Sequence, residues 1–216
     1  MHTLNYRLLK ALIAAMVFSL VACGPAVTFT EPQPVDVKSM TEFPKRLFGN
    51  YVSTLDSSML CIGKTAIIRT YKVEIMEAVN KLDSSYTLSK DTLKCLLNGE
   101  KWPVEVRNDS IFGWMPIVDT VFAIDEHGVL KKFKGHFFIS NRLKGTTWEV
   151  KKLALSRSKL EMSGISNPEH IQKLKAITES SQDTLPYEFE LTKKQFKRFV
   201  KDKGFSNTET FIKIKN

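Results

Sequence analysis

The chain has 216 residues, 43% of them hydrophobic and 25% charged, and 32 Lys and Arg against 23 Asp and Glu give a formal net charge of +9. That balance excludes a disordered, collagen-like or multi-span membrane protein, and the length suits one β-rich domain. Three cysteines are too few for a disulfide scaffold.

Residues 1–10 carry Arg7 and Lys10 and no acid, and an uncharged, largely apolar run of 12 residues leads from Ala11 to Ala22, directly before Cys23. A basic head, a short apolar middle and a small-residue end are the parts of a secretory signal. A spanning helix needs about 20 apolar residues, so this run is too short to cross a bilayer. Leu20-Val21-Ala22-Cys23 resembles the lipobox of bacterial lipoproteins, in which cleavage falls before a cysteine that is then acylated. The resemblance implies a signal peptide over residues 1–22, export, and diacylglyceryl transfer to the Cys23 sulfur. The mature chain would then be tied to a membrane by lipid without spanning it, each buried acyl CH₂ contributing about 0.8 kcal/mol. Gly24 stands where aspartate would be the inner-membrane retention signal, which implies the outer membrane. No acid appears before Glu31, and the periplasmic face is preferred to the cell surface. The plainer reading of the same run is an ordinary signal peptide or an uncleaved anchor.

Residues 23–38 read as the acylated cysteine and a proline-rich tether, with Pro25, Pro32 and Pro34. Extended at about 3.1 Å per residue, residues 24–37 would reach about 40 Å and hold the body clear of the headgroups. The second half reads equally as an arm packed on the body, because Phe29 and Val35 are apolar.

Residues 39–216 read as a single β-rich domain. Phe43 and Leu47 fit one short helical turn interrupted by Pro44. From Gly49 to Met162 the period is two. Residues 66–75 are rich in β-branched and aromatic types, Leu93, Cys95 and Leu97 share one phase, and Asn108-Asp109 separates two strand-like runs at 102–107 and 110–114. A meander covers 120–162. Its first turn is Asp125-Glu126-His127-Gly128, where glycine suits a positive φ. A strand over 129–140 follows, with Phe133, Gly135, Phe137 and Ile139 on one side and Lys132, Lys134 and His136 on the other. Turns at 141–145 and 156–158 bracket its last strands.

The final quarter changes period. Asn167-Pro168-Glu169 has the pattern of an N-cap, first-turn proline and first-turn acid, with Ile171, Leu174 and Ile177 on one face. After a loop over 180–186 and a strand over 187–191, Thr192 caps a second helix carrying Phe196, Phe199 and Val200. Residues 211–215 alternate as a last strand. The fold class is therefore mainly β within α+β: an antiparallel meander or barrel-like sheet with two short C-terminal helices.

Candidate chemistry is sparse. His127, His136 and His170 show no HExxH or CxxC-type spacing, and no metal or cofactor is assigned. Cys95, in phase with Leu93, reads as a buried small hydrophobe and not a nucleophile. Export permits a Cys61–Cys95 disulfide, but spacing alone does not bring their Cα atoms together. No GxSxG, SxxK, GxGxxG or P-loop is present, so no catalytic residue is assigned. Lys193, Lys194, Lys197, Arg198 and Lys201 make the last helix basic. They read either as a membrane-facing surface for anionic headgroups or as a solvated face over docked phenylalanines. Export argues against nucleic acid. Gly49-Asn50-Tyr51 resembles the G-x-W strand start of lipocalins, with Tyr51 in place of tryptophan. That resemblance implies a barrel holding a small apolar ligand, lined by Phe133 and Phe137. The overall expectation is a lipid-anchored envelope lipoprotein acting as a non-enzymatic accessory or binding module, with the membrane and an envelope protein as partners. The alternatives are the lipocalin-like carrier and an envelope enzyme.

Overall fold

The computed structural model describes residues 26–143 and 145–214. In chain order these form β1 (Val27–Phe29), β2 (Ser39–Met40), β3 (Gly49–Ser53), β4 (Met59–Ile62), β5 (Ala66–Ala78), β6 (Tyr86–Ser89), β7 (Thr92–Cys95) and β8 (Lys101–Arg107). Then come β9 (Ser110–Ala123), β10 (Gly128–Phe133), β11 (His136–Arg142), β12 (Trp148–Ser156) and β13 (Lys159–Gly164). The last part holds α1 (Pro168–Thr178), β14 (Tyr187–Phe189), α2 (Lys193–Lys201) and β15 (Asn207–Lys213). The protein is mainly β, with antiparallel strands predominating and two short helices in its last quarter. Its residues divide between two compact units, which share the 39–216 stretch.

The first unit takes the described part of Met1–Ser39 with Lys131–Leu153 and Ser163–Thr208. Its core is Val27, Phe29, Phe138, Val150, Ile171, Leu174, Phe189, Leu191, Phe196, Phe199 and Phe205. Both helices start where their caps dictate. The Asn167 side chain accepts from the Glu169 amide ahead of Pro168, and Thr192 forms a reciprocal capping box with Gln195. Each helix then turns its apolar positions inward, Ile171 and Leu174 from α1 and Phe196 and Phe199 from α2. Strand β11 pairs antiparallel with β12 from Phe137↔Leu153 to Arg142↔Trp148.

One expectation changes here. The strand read over 129–140 is two strands, because Lys134 (φ 48°) and Gly135 (φ 84°) turn the chain between them. Two consecutive positive φ values describe a type I′ hairpin turn, for which glycine is favoured. The proline-rich stretch follows the packed-arm reading, and does so from upstream of its second half. Val27, Thr28 and Phe29 are buried in β1, which runs parallel to β14 (Val27↔Tyr187 to Phe29↔Phe189) and also meets β12 at Phe29↔Trp148. Gln33 and Pro34 are buried as well. From Val27 onward this segment belongs to the folded body and is not a free tether.

The second unit takes Met40–Leu130, Ala154–Met162 and the described part of Glu209–Asn216. Within it β15, β3, β4, β5, β9, β8, β7 and β6 are successive neighbours. Among the described residues β6 pairs only with β7, and the sheet they form is open and not a barrel. Its spine is the β5–β9 ladder, running from Ala66↔Ala123 to Ala78↔Ser110 with a bulge at Ile67/Ile68. β9 continues through Pro116 and joins the strand-like run read over 110–114 to the meander read from 120. β8 pairs with β9 only over Ser110–Gly113, so a proline beyond that point removes no β8 bond. The β8–β9 turn is Asn108-Asp109, both at positive φ, as that pair suggested. Gly128 is required for space and not for a positive φ. A Cβ there would meet the Ala123 carbonyl oxygen at 1.7 Å.

One small core of this unit gathers Leu93, Cys95, Trp102, Val104 and Ile111. Leu97, expected in phase with Cys95, lies beyond the end of β7 and is exposed.

Candidate functional site

Cys23 and residues 1–22 lie outside the described residues, so the site is built from Ala26 onward. The arm that begins there is held by three sets of bonds. The Tyr187 amide donates to the Ala26 carbonyl (2.9 Å) and the Thr30 amide to the Phe189 carbonyl (3.1 Å). Phe29 is 0% exposed. Further along, the Lys131 ammonium donates to the carbonyls of Pro32 (2.8 Å) and Pro34 (2.9 Å). Burial pushes the Lys131 ammonium down, partly opposed by Glu31 and Asp36. Lys131 shares the alternation phase of Phe133, which reads as inward, but its role as a latch on Pro32 and Pro34 was not legible there.

Helix α2 presents Lys193, Lys194, Lys197, Arg198 and Lys201 to solvent while Phe196 and Phe199 are buried. Lys193 donates to the Asp36 carbonyl (2.9 Å), and Arg198 pairs with Asp202 at 3.8 Å. The helices run side by side. Gln195 donates to the Ile177 carbonyl (2.8 Å), and the Lys173 ammonium reaches the Asp202 carbonyl (3.4 Å). His170 is buried, with Nδ1 2.8 Å from the Ser206 hydroxyl. Burial, then Lys173, holds its imidazole below the usual range. It is therefore neutral at pH 7, and the pair ties the start of α1 to the segment after α2.

Phe133 and Phe137 do not converge on a ligand cavity. Phe133 packs against Phe196 (ring centroids 6.3 Å apart), beside Phe138 in the same core. Phe137, adjacent to Phe138 on β11, points to the opposite face and is 1% exposed. Cys61 and Cys95 are free thiols, the first exposed and the second buried. They sit on β4 and β7, with β5, β9 and β8 between those strands. Neighbouring strands are about 4.8 Å apart, so a disulfide cannot span that interval. His127 stands at an exposed turn, 3.5 Å from Glu126.

A feature that sequence reasoning did not single out lies in the second unit. On one face of the β4–β5–β9 sheet, Met59 opposes Thr70, which opposes Val118, and Lys72 opposes Pro116. Glu74 opposes Trp114, and Met76 opposes Phe112. Opposed residues share a face, and Met59, Val118, Trp114 and Met76 on this one are 42%, 66%, 55% and 71% exposed. A groove of about 430 Å³ opens there between Trp114, Pro116, Met59 and Lys72 and the turn at Asp56, Ser57 and Ser58. That turn is fixed by Arg69, which reaches Ser58 (3.0 Å), Asp56 (3.0 Å) and Glu209 (2.9 Å). Hydrogen bonds from Ser58, with smaller contributions from Ser53 and Arg69, lower the Asp56 carboxyl to about 2. The alternation over 110–114 was the available signal, but it does not say which of the two faces is left uncovered.

Comparison of the chain with family models, curated proteins and solved structures finds no match.

Proposed function

We infer that the protein is a lipid-anchored lipoprotein of the bacterial envelope, acting as a non-enzymatic binding module. Acylated Cys23 ties it to the outer membrane facing the periplasm, and the uncovered apolar face of β4, β5 and β9 receives an envelope protein. The lipobox Leu20-Val21-Ala22-Cys23 supports the anchor. The observation that carries the binding role is the exposure of Trp114, Met76, Val118 and Met59 on a single sheet face. Large apolar side chains exposed together on one sheet face, here with Lys72 and Glu74 interspersed among them, mark an interaction surface more often than a structural need. Exposed tryptophan at its centre is the residue type that dominates interface energetics. Export leaves nucleic acid outside its reach.

The experiment has two arms. Cys23→Ser should abolish palmitate labelling and leave the precursor unprocessed. Photo-crosslinking from position 118 in intact cells should capture an envelope protein, and the same capture should be lost when Trp114→Lys and Met76→Lys are added. Normal labelling of Cys23→Ser would overturn the anchor. Crosslinks unchanged by the lysines would overturn the binding face.

A further inference from the structure

The anchor position limits what the body can touch. Only Gly24, Pro25 and Ala26 separate Cys23 from Val27. Four Cα steps of at most about 3.6 Å hold Val27 within about 14 Å of the acylated residue. That length is about twice the roughly 5–8 Å headgroup layer of one leaflet, and just under twice the roughly 8 Å screening length of physiological salt. Val27 cannot swing away, because it is buried in β1 and paired with Tyr187 of β14. Whatever surrounds the start of β1 is therefore delivered to the lipid surface with it.

The surroundings suit that surface. Leu185, two residues before Tyr187, is 67% exposed. Lys175 stands 4.6 Å from the Tyr187 ring centroid and neutralises Asp183 at 2.9 Å. Two residues beyond Lys175, the Ile177 carbonyl accepts from Gln195 in the first turn of α2. The exposed Lys193, Lys194 and Lys197 of that turn and the next thus lie beside the same end of α1.

We propose that the start of β1, the 180–187 segment and the first turns of α2 form a membrane-seating surface whose partner is an anionic phospholipid bilayer. Leu185 enters the boundary between headgroups and acyl chains, and Lys193, Lys194 and Lys197 meet the lipid phosphates. This rests on the lipid anchor proposed above.

The test uses the full-length mature chain, carrying its acyl groups and bearing Leu185→Trp, reconstituted into vesicles containing phosphatidylglycerol and lipids brominated on the acyl chains. Emission of the added tryptophan, read as the difference from the wild-type protein, should fall at least twofold relative to unbrominated vesicles. Inserting twelve Gly and Ser residues after Gly24 should restore most of that emission. Lys193→Glu with Lys194→Glu and Lys197→Glu should weaken the quenching on these vesicles, but not on uncharged ones. A vesicle-bound protein whose added tryptophan is not quenched, or whose quenching ignores the longer spacer, overturns the seating surface while the anchor stands. Quenching unchanged by the glutamates overturns the role of the lysines. A protein that carries no acyl group and does not bind vesicles overturns both.

Discussion

Phe29→Ala tests whether the N-terminal arm is part of the fold. The Phe29 side chain is 0% exposed, lies in the same core as Phe138 and Phe196, and is paired with Trp148 on one side and Phe189 on the other. Truncating a fully buried phenylalanine costs about 3–5 kcal/mol, part for lost transfer and part for the cavity left behind. Against a typical stability of about 5–15 kcal/mol, that is about a fifth or more of the total. With a urea m-value of about 2 kcal/mol/M, the midpoint should fall by roughly 2 M. Tryptophan fluorescence is a suitable probe because Trp148 stands opposite Phe29. Leu185→Ala, at an exposed position, should leave the midpoint within about 0.3 M of wild type, since surface changes are usually within about 0.5 kcal/mol. A midpoint loss below about 0.5 M for Phe29→Ala would mean that residues 26–36 are only loosely attached, and the short-spacer reasoning would fall.

Further outcomes follow from the polar contacts. The Asp56 carboxyl, held at about 2 mainly by Ser58, contributes stability that is present above pH 4 and lost as pH falls through 2. Because nearly half of the side chain meets solvent, the contribution is about 1 kcal/mol after screening. Carboxyl titration by NMR should show Ser58→Ala raising the Asp56 value more than Arg69→Met does; the reverse order would mean the arginine dominates. His170 and His136, both lowered chiefly by burial, bind protons more readily in the unfolded chain. Stability should therefore fall as pH drops below about 6.5, and His170→Gln should flatten that slope in urea titrations between pH 7 and 5. An unchanged slope would show that His170 is not the group responsible. Lys131→Met should destabilise by about 1–3 kcal/mol, since it leaves the Pro32 and Pro34 carbonyls without their donor. An unchanged urea midpoint would remove Lys131 as the latch.

What sequence made legible was governed by local rules. Asn167 and Thr192 cap the helices they were expected to cap, Asn108-Asp109 turns where two positive φ values are needed, and Cys95 is buried beside Leu93. What escaped depends on distant partners. β1 is strand because Val27 pairs with Tyr187, 160 residues away (187 − 27), and no property of a proline-rich stretch announces that partner. The Lys134-Gly135 hairpin hid because alternation continued across it, so two strands read as one. Nothing local in sequence says which face Trp114 and Met76 take, and the pairing of β5 with β9 puts them together on a face that stays exposed. The lipobox resemblance, which depends on adjacency alone, is the basis of the proposed anchor.

The central claim is that Cys23 carries the lipid that holds this protein to its membrane. Intact-mass and N-terminal peptide mass spectrometry of the native protein test it most directly. The native protein should be a chain beginning at Cys23, heavier than its 194 residues (216 − 22) by the mass of its acyl groups. A chain that begins at Met1, or at Cys23 with an unmodified thiol, would contradict it.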